Sequence, residues 1–424
     1  MRLPLDHLLT ERTVYTVGAM APRQSLFEQF RGAEASLAEL NWLLLLRFKG
    51  AMQPCPDEIV YPGHADQYSV KVRFGRLGIV DILAGPNLTS PEIESIGDQI
   101  ASELLTSSGT RIASVIPFAH LPVDGWYRHG NLLQILPAPK SAPRPISLMA
   151  DHPFLLQFSF PTSSNWAVRN IRKATRGGEI SLLLSGLLAG TVRRPVDSGR
   201  HHWTFVSRGS GQTLAAEYLQ EGYVCPGFFD ESDEWEPTEG MPQLPEVEAH
   251  DYYSRWAIDG ESRFEIPRNL PELITGFYKL PAKLRDQFLR ACFWFDLAGR
   301  FYVDSRSTAF AALVSSVEAL MPPVSDGSAC TACGKHVGKS ISQQFVDFLD
   351  EMAPSAGEIE KARRKLYAVR SALLHGGRLL PSDYLGFSPG PGLADEFENM
   401  EQAQHLVRLV LATWLGRQVG PARN

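Results

Sequence analysis

This sequence has few cysteines, no long hydrophobic run and no excess of basic residues. So small and odd a set of cysteines does not predict a disulfide scaffold; the five are Cys55, Cys225, Cys292, Cys330 and Cys333. The densest apolar run, Leu43–Leu46, is far shorter than the ~20 apolar residues of a membrane-spanning helix. Met1–Met20 has scattered charges and no apolar stretch, so we expect no signal peptide. These absences predict a soluble protein of the reducing cytoplasm with no membrane partner.

The balance of charge argues against a protein that coats nucleic acid. Lysine and arginine number 41 against 47 aspartate and glutamate, which gives a net charge of −6. Any contact with RNA therefore has to rest on a local basic patch. The sequence also lacks a P-loop, a dinucleotide-binding glycine pattern, a His-Glu-x-x-His motif and a Gly-x-Ser-x-Gly motif. Nothing in it points to the nucleotide, metalloprotease or hydrolase sites that those motifs form.

Hydrophobic spacing predicts an α+β protein. Residues 1–230 form a mixed, β-rich region of unknown fold, for which a sensor role is one interpretation. Two helices are predicted in this region, Ser25–Phe48 and Ser90–Leu105, the second with Ser90 as N-cap and Pro91 in its first turn. Apolar runs bounded by Gly, Pro or Ser predict strands; they are Ile79–Leu83, Arg111–Phe118, Leu132–Leu136, Phe154–Phe160, Ile180–Leu188 and Trp203–Val206.

The second half of the chain changes in character twice. Residues 228–248 are acidic and rich in proline, so we interpret 231–270 as a linker. A helical period returns in 271–424, where short loops between amphipathic helices indicate a bundle. Five helices are predicted there: Leu280–Phe301, Ser307–Met321, Ser340–Met352, Ala356–His375 and Glu401–Leu415.

The fourth of these helices carries the most informative residues. Its predicted buried stripe has apolar residues three and four positions apart, namely Ile359, Ala362, Leu366, Val369 and Leu373. Arg370 lies on the adjoining stripe, and His375 ends the helix because Gly376 and Gly377 follow it. Five residues turn ~500°, so an ideal helix points Arg370 and His375 ~140° apart. Either the glycine end turns His375 back, or a second subunit supplies the partner residue across a symmetric cleft.

Arg370–His375, Arg-Ser-Ala-Leu-Leu-His, resembles the Arg-x(4–6)-His motif of HEPN domains. Its context, "LYAVRSALLHGG" after "FAALVSSVEALMP", is similar to the Apea-like HEPN group, and the resemblance covers about the last third of the chain. Many members of that family have Asn, Asp or His after the arginine, whereas this chain has Ser371. The resemblance implies a helical HEPN-like domain over 271–424. It also implies metal-independent cleavage of RNA, in which the ribose 2′-hydroxyl attacks the adjacent phosphate.

The residue types at the motif suit this chemistry. A histidine can exchange protons near neutral pH, and an arginine stays cationic and binds phosphate oxygens. We therefore assign acid–base work to His375 and phosphate stabilisation to Arg370, with support from Ser371 and from Glu318, an acid on an apolar helix. The local basic patch for RNA would consist of Arg363, Arg364, Lys365 and Arg378.

A purely structural interpretation of the same residues stays open. Arg370 could pair with Glu318 and tie two helices together, and His375 could be a cation that the helix dipole favours at a C-terminus. Within the resemblance, the leading hypothesis is a homodimeric endoribonuclease, with a toxin or anti-phage defence role and a phage or host trigger at the N-terminal region. The alternative is a non-catalytic HEPN domain that dimerises or binds RNA as a scaffold.

One cysteine pair has the spacing of half a zinc site. Cys330-Thr-Ala-Cys333-Gly, with His336 close behind, supplies at most three of the four ligands that structural zinc requires. The alternative is a pair of reduced thiols in a loop between helices, and the sequence does not separate the two. Catalysis as implied needs no cofactor. Cys292 lies within a predicted helix and is expected in the core.

Overall fold

The computed structural model describes most of the chain in separate stretches. They are residues 37–48, 51–55, 57–62, 68–75, 78–85, 88–105, 109–139, 152–188, 192–193, 201–207, 214–220, 231–254, 263–302, 304–322, 340–353, 366–369, 371–373, 379–385 and 393–419. The chain divides into two compact units, one of residues 1–109 with 161–172 and one of residues 110–160 with 173–424. These units cut the chain at other positions than the composition suggested.

The first unit contains a four-stranded antiparallel sheet and two helices. The strands pair in chain order β1-β2-β3-β4, and their bounds are Met52–Cys55, Glu58–Pro62, Tyr68–Gly75 and Gly78–Ala84. Helices α1 (Leu37–Phe48) and α2 (Ser90–Leu105) contribute apolar side chains to the same core as the sheet. Within that core Tyr61 is almost fully buried and donates a hydrogen bond to Asn41 Oδ1 at 2.5 Å. Burial raises the pKa of Tyr61.

Helix α2 has the predicted bounds, but its first turn is closed by the preceding residue. The backbone N–H and the hydroxyl of Thr89 both donate to Glu92 Oε2 at 2.8 Å. These hydrogen bonds lower the pKa of Glu92. A side chain three positions on that accepts from the backbone of the capping residue is one half of a capping box, so Thr89 takes the place expected for Ser90.

The second unit is built on a six-stranded sheet. Its strands follow the order β10-β6-β9-β8-β7, and β5 also pairs with β9. In chain order they are β5 Thr110–Val115, β6 Phe118–Ala119, β7 Tyr127–His129, β8 Leu133–Pro137, β9 His152–Pro161 and β10 Val192–Arg193. The strands predicted at Leu132–Leu136 and Phe154–Phe160 are therefore confirmed, whereas the predicted strand Arg111–Phe118 divides into β5 and the beginning of β6.

Two buried amides lie opposite each other in this sheet. Gln134 on β8 is the register partner of Gln157 on β9, and Gln134 Nε2 donates to Gln157 Oε1 at 3.1 Å. Gln134 Nε2 also donates to the Glu236 carbonyl at 2.9 Å, and the Glu236 N–H donates to Gln157 Oε1 at 3.0 Å. Both side chains thus find hydrogen-bond partners inside the apolar sheet.

The strand predicted at Ile180–Leu188 is wrong, because these residues end helix α3 (Trp166–Leu187). The fully buried Ile180, Leu183, Leu184 and Leu187 follow steps of three and four, which is a helical period. Gly177 and Gly178 before them suggested the edge of a strand. Instead, Gly177 brings the helix against the sheet, since a Cβ there would lie 2.7 Å from Phe158 Cζ.

The C-terminal part is helical, as predicted, so the coarse class α+β is confirmed. The described helices are α4 Ala249–Ser254, α5 Leu270–Lys279, α6 Ala282–Phe301, α7 Arg306–Leu320, α8 Ile341–Met352, α9 Ser382–Leu385 and α10 Leu393–Val419. Residues 366–369 and 371–373 are also helical, within the predicted fourth helix. Helix α10 begins eight residues before the predicted Glu401, because buried Glu396 and Met400 continue its inward face.

Much of the segment interpreted as a linker is packed into the second unit. Ser232 exchanges two backbone hydrogen bonds with Ile112, at 2.8 and 2.9 Å. Leu244 and Phe264 are buried in the same core as the sheet and helices. Two short parallel strands, β13 Glu246–Val247 and β14 Ile266–Pro267, pair within this segment. Low apolar content therefore did not prevent the segment from packing.

A separate hairpin completes the described strands. Strand β11 (His201–Ser207) pairs in antiparallel register with β12 (Leu214–Gln220), which confirms the strand predicted at Trp203–Val206. In the parts of the chain that the structure describes, none of the helices has the length and apolarity to cross a membrane.

Candidate active site

The predicted site draws on helix α7 and on the helical segment 366–373. Helix α7 begins after Ser305, whose Oγ accepts a hydrogen bond from the Thr308 N–H, and it ends where the Met321 N–H binds the Glu318 carbonyl. Its inner face is mostly apolar, with Phe310, Leu313, Val314, Val317 and Leu320 buried beside Ser307 and Ser316. Glu318 is partly buried at the last turn. The lone acid of this helix therefore adjoins the core.

The motif segment packs with its predicted stripe toward the core. Leu366 is buried, and Val369 and Leu373 pack partly buried against the same core. The Tyr367 ring lies 5.1 Å from the Phe345 ring of α8. Ser371 is partly buried. The apolar spacing thus predicted both the helix and the direction of its buried face where the structure describes them.

The chain that follows the motif is tied to the beginning of α7. Asp383 Oδ1 accepts from the Arg306 N–H at 2.8 Å, and Asp383 Oδ2 accepts from the Ser307 N–H and the Ser305 hydroxyl, both at 3.0 Å. In addition, the Leu380 N–H donates to Ser307 Oγ at 2.8 Å. One carboxylate therefore satisfies backbone donors of the first turn that have no partner within the helix.

The electrostatics of Asp383 follow from these contacts. Partial burial disfavours its charged form, but the hydrogen bonds from Ser307, Arg306 and Ser305 outweigh burial and lower the pKa of Asp383. The negative charge also lies at the positive end of the α7 dipole. Asp383 is therefore ionised at neutral pH and holds residues 380–383 on α7.

A cation completes the same junction. The Arg306 guanidinium lies 3.7 Å from the Phe397 ring centroid and 5.2 Å from that of Tyr302. Its Nη1 is 3.8 Å from Glu396 Oε1, and Glu396 in turn accepts hydrogen bonds from the N–H and the hydroxyl of Ser382. Helices α7 and α10 and the chain after the motif thus meet around Arg306.

The sequence patterns did not predict this junction. The first turn of α7 was predicted to begin at Ser307, and Asp383 and Glu396 carried no predicted role. A usable signal was present in Ser305, which occupies the N-cap position before the apolar run of α7. The contribution of Asp383 could not be inferred from spacing, because Asp383 caps a helix 77 residues earlier in the chain.

The remaining predicted site residues lie outside the described residues. They are the motif residues Arg370 and His375, the basic residues Arg363, Arg364, Lys365 and Arg378, and the three zinc-ligand candidates Cys330, Cys333 and His336. Among the residues that are described, no three His, Cys, Asp or Glu side chains form a group that could hold a metal ion. Cys292 is fully buried in α6, as expected, and burial raises the pKa of its thiol.

No family model, curated protein or solved structure matches this chain. The likeness to HEPN domains therefore rests on the residues of the motif and its flanks. What the site can do follows from those residues and from the described helices around them.

Proposed function

We propose that this protein is a metal-independent endoribonuclease of the HEPN type, in which His375 moves protons and Arg370 stabilises charge on the phosphate. The observation that carries the proposal is the packing of the motif segment. The stripe Leu366, Val369 and Leu373 faces the core, which supports the predicted position of Arg370 at the edge of that face. Glu318, partly buried on α7, would orient the guanidinium, and Ser371 would position the imidazole or the substrate.

The junction at Asp383 supports the same site. A catalytic histidine just before two glycines needs a fixed chain after it, because rate depends steeply on the placement of reacting groups. Residues 380–383 provide such a fixed point through Asp383 and Ser307. Arg363, Arg364, Lys365 and Arg378 would hold the RNA backbone by charge.

Cleavage of RNA in EDTA tests the proposal. The wild-type protein should cut RNA to products with a 2′,3′-cyclic phosphate, and 2′-deoxy substitution at the cut position should block the reaction. Loss of general acid–base catalysis should lower kcat by about 10²–10⁴ in His375→Ala. Loss of the phosphate contact should lower kcat by about 10²–10³ in Arg370→Ala. Glu318→Gln should have a smaller effect, about tenfold, as for one charged hydrogen bond.

Matched variants control for general damage to the fold. Arg290→Ala and His250→Ala replace exposed residues of the same types, and both should retain wild-type cleavage. Equal activity of Arg370→Ala, His375→Ala and these controls would refute the assignment. A cellular role as a toxin or defence effector predicts that expression of the wild type, but not of His375→Ala, arrests growth.

A scaffold that dimerises without cleaving RNA is the second candidate, and one surface favours it. On α6 the neighbouring Phe293 and Trp294 are 40% and 36% exposed and meet edge to face, with ring centroids 5.7 Å apart. Adjacent aromatic residues on a surface are typical of protein interfaces. RNA binding or dimer formation by wild-type protein that never cleaves RNA would favour this candidate.

A further inference from the structure

Within the described stretches of the chain, Arg408 is a buried cation without an anionic partner. It lies on α10, is 9% exposed, and faces helix α4. Its Nη2 donates to the Tyr252 carbonyl at 3.5 Å, the outer limit of a hydrogen bond, and its buried Nε has no hydrogen-bond partner. A guanidinium has five N–H donors, and in proteins it does not lose its proton. The site therefore holds a permanent charge whose buried Nε has no partner and whose Nη2 has only a long hydrogen bond.

The surroundings of Arg408 are apolar and aromatic. Tyr252 and Tyr253 pack edge to face at 5.1 Å and share a small core with Ala412 and Leu409. The Tyr253 hydroxyl is already committed, since it donates to the Leu187 carbonyl at 2.8 Å. Burial lowers the pKa of Arg408, and among the described residues only these two tyrosines act on it electrostatically. None of them supplies the negative charge that a buried guanidinium requires.

Other largely buried arginines of this chain show what is missing. Arg172 Nε lies 3.4 Å from Glu39 Oε1 in the first unit. Arg306 lies over the Phe397 ring and 3.8 Å from Glu396. Each of these has a carboxylate, whereas Arg408 has none within the described stretches. Because an unpaired buried charge is strongly unfavourable, the absent partner points to a bound anion.

We propose that Arg408 anchors a binding site for an oxyanion, the phosphate or carboxylate group of a small ligand. The planar guanidinium fork matches both groups, since it can donate two parallel hydrogen bonds to two oxygens of one ligand. The burial of Arg408 beside Tyr252 would strengthen such a pair, because charges interact more strongly away from bulk water. The site lies on residues that the proposed ribonuclease does not use, so its occupant is independent of RNA cleavage.

Thermal unfolding of the full chain in matched ionic strength tests the proposal. Chloride, inorganic phosphate and acetate buffers are compared for wild type, Arg408→Met and Arg290→Met. At 100 times its Kd, the bound anion should raise the Tm of the wild type by about 3 °C. Arg290→Met, which changes an exposed residue of α6, should show the same rise. Arg408→Met should show none, and in chloride it should be at least as stable as the wild type, because it lacks the uncompensated charge.

Phosphate stabilises many proteins because it is excluded from their surface. The comparison with Arg408→Met controls for this general salt effect. A rise with phosphate alone identifies a phosphate site, and a rise with acetate alone identifies a carboxylate site. Absence of any rise in the wild type, or an equal rise in Arg408→Met, overturns the proposal.

A second variant keeps the test decisive if Arg408→Met does not fold. Arg408→Lys retains the charge but loses the fork, so calorimetric titration with phosphate or acetate should give a Kd weaker by about tenfold or more. An unchanged Kd in Arg408→Lys, or no measurable binding to the wild type, would contradict a site built on this guanidinium.

Discussion

At the scale of single residues, Asp383 adds to the local N-cap Ser305 by binding two further backbone donors of the first turn of α7. Its carboxylate contacts two backbone donors and one hydroxyl at the beginning of α7. A cap supplied from a distant part of the chain stabilises the helix and also fixes where that distant part lies. The same hydrogen bonds thus serve both the stability of α7 and the position of the chain after the motif.

Asp383→Asn should lower the free energy of unfolding by about 1 kcal/mol at neutral pH. The pKa of Asp383 is lowered in the folded protein, so its contribution is complete above the pKa of the unfolded chain. The contribution is lost as the pH falls through the native pKa. Urea unfolding at neutral and acidic pH should therefore show the two proteins converging in acid.

Asp304→Asn is the matched control for this prediction. Asp304 is exposed and lies just before α7, and its replacement should change stability by no more than about 0.5 kcal/mol. An Asp383→Asn effect that is equal at both pH values would show that the charge of this carboxylate does not matter.

At the scale of elements, two neighbouring glycines of α3 should respond to the same substitution with opposite sign. A Cβ at Gly178 would meet nothing within 4 Å, so Gly178→Ala should stabilise the helix by about 0.5–1 kcal/mol. A Cβ at Gly177 would lie 2.7 Å from Phe158 Cζ, so Gly177→Ala should cost about 1–3 kcal/mol. Chemical unfolding of the two variants measures both values.

This pair of variants also checks the corrected secondary structure. If Gly177 and Gly178 lay at the edge of a strand, replacement by alanine would not raise the free energy of unfolding as it does inside a helix. Loss of stability in both variants would therefore contradict helix α3 at this point.

Apolar spacing predicted most elements because their buried faces follow one period over their whole length. Helix α2 and strands β5, β8 and β9 are of this kind. Helix α3 was missed because its first half is polar and its glycines interrupt the pattern, although Ile180 and Leu184 keep the helical step. Contacts between residues that are distant in the chain, such as those of Asp383 with α7, produce no periodic pattern in the sequence.

At the scale of the whole molecule, a pair of chains is one of the two ways in which Arg370 and His375 could meet at one phosphate. A symmetric pair would bring two motifs to one cleft. The exposed Phe293 and Trp294 of α6 offer an apolar surface for that contact. Sedimentation should therefore give twice the mass of one chain.

The double variant Phe293→Glu/Trp294→Glu should sediment as a single chain with unchanged helical circular dichroism. Leu379→Glu changes another exposed apolar residue, 52% accessible and away from α6, and should remain a dimer. A wild-type protein that sediments as one chain at all concentrations would contradict the dimer and leave each active site to one chain.

The candidate site was predicted only as far as local pattern reaches. The buried stripe at Leu366 and the placement of Glu318 beside the core followed from spacing. The partners of Arg306 and the surroundings of Arg408 did not follow from spacing, because they depend on helices that are distant in sequence. A buried charge such as that of Arg408 can be recognised as lacking a partner only when the residues packed around it are known.

The facing amides Gln134 and Gln157 have a consequence for how the sheet assembles. If β8 slid by two residues along β9, Gln134 would face Leu155 or Ser159 and lose its hydrogen bond to Gln157. Each amide would lose one hydrogen bond, worth about 0.5–1.5 kcal/mol, although Gln157 would keep its contacts with the Glu236 N–H and Ser114 Oγ. The pair therefore favours the native strand register. The leucines and phenylalanines of the sheet would tolerate other registers, because they can replace one another in the core.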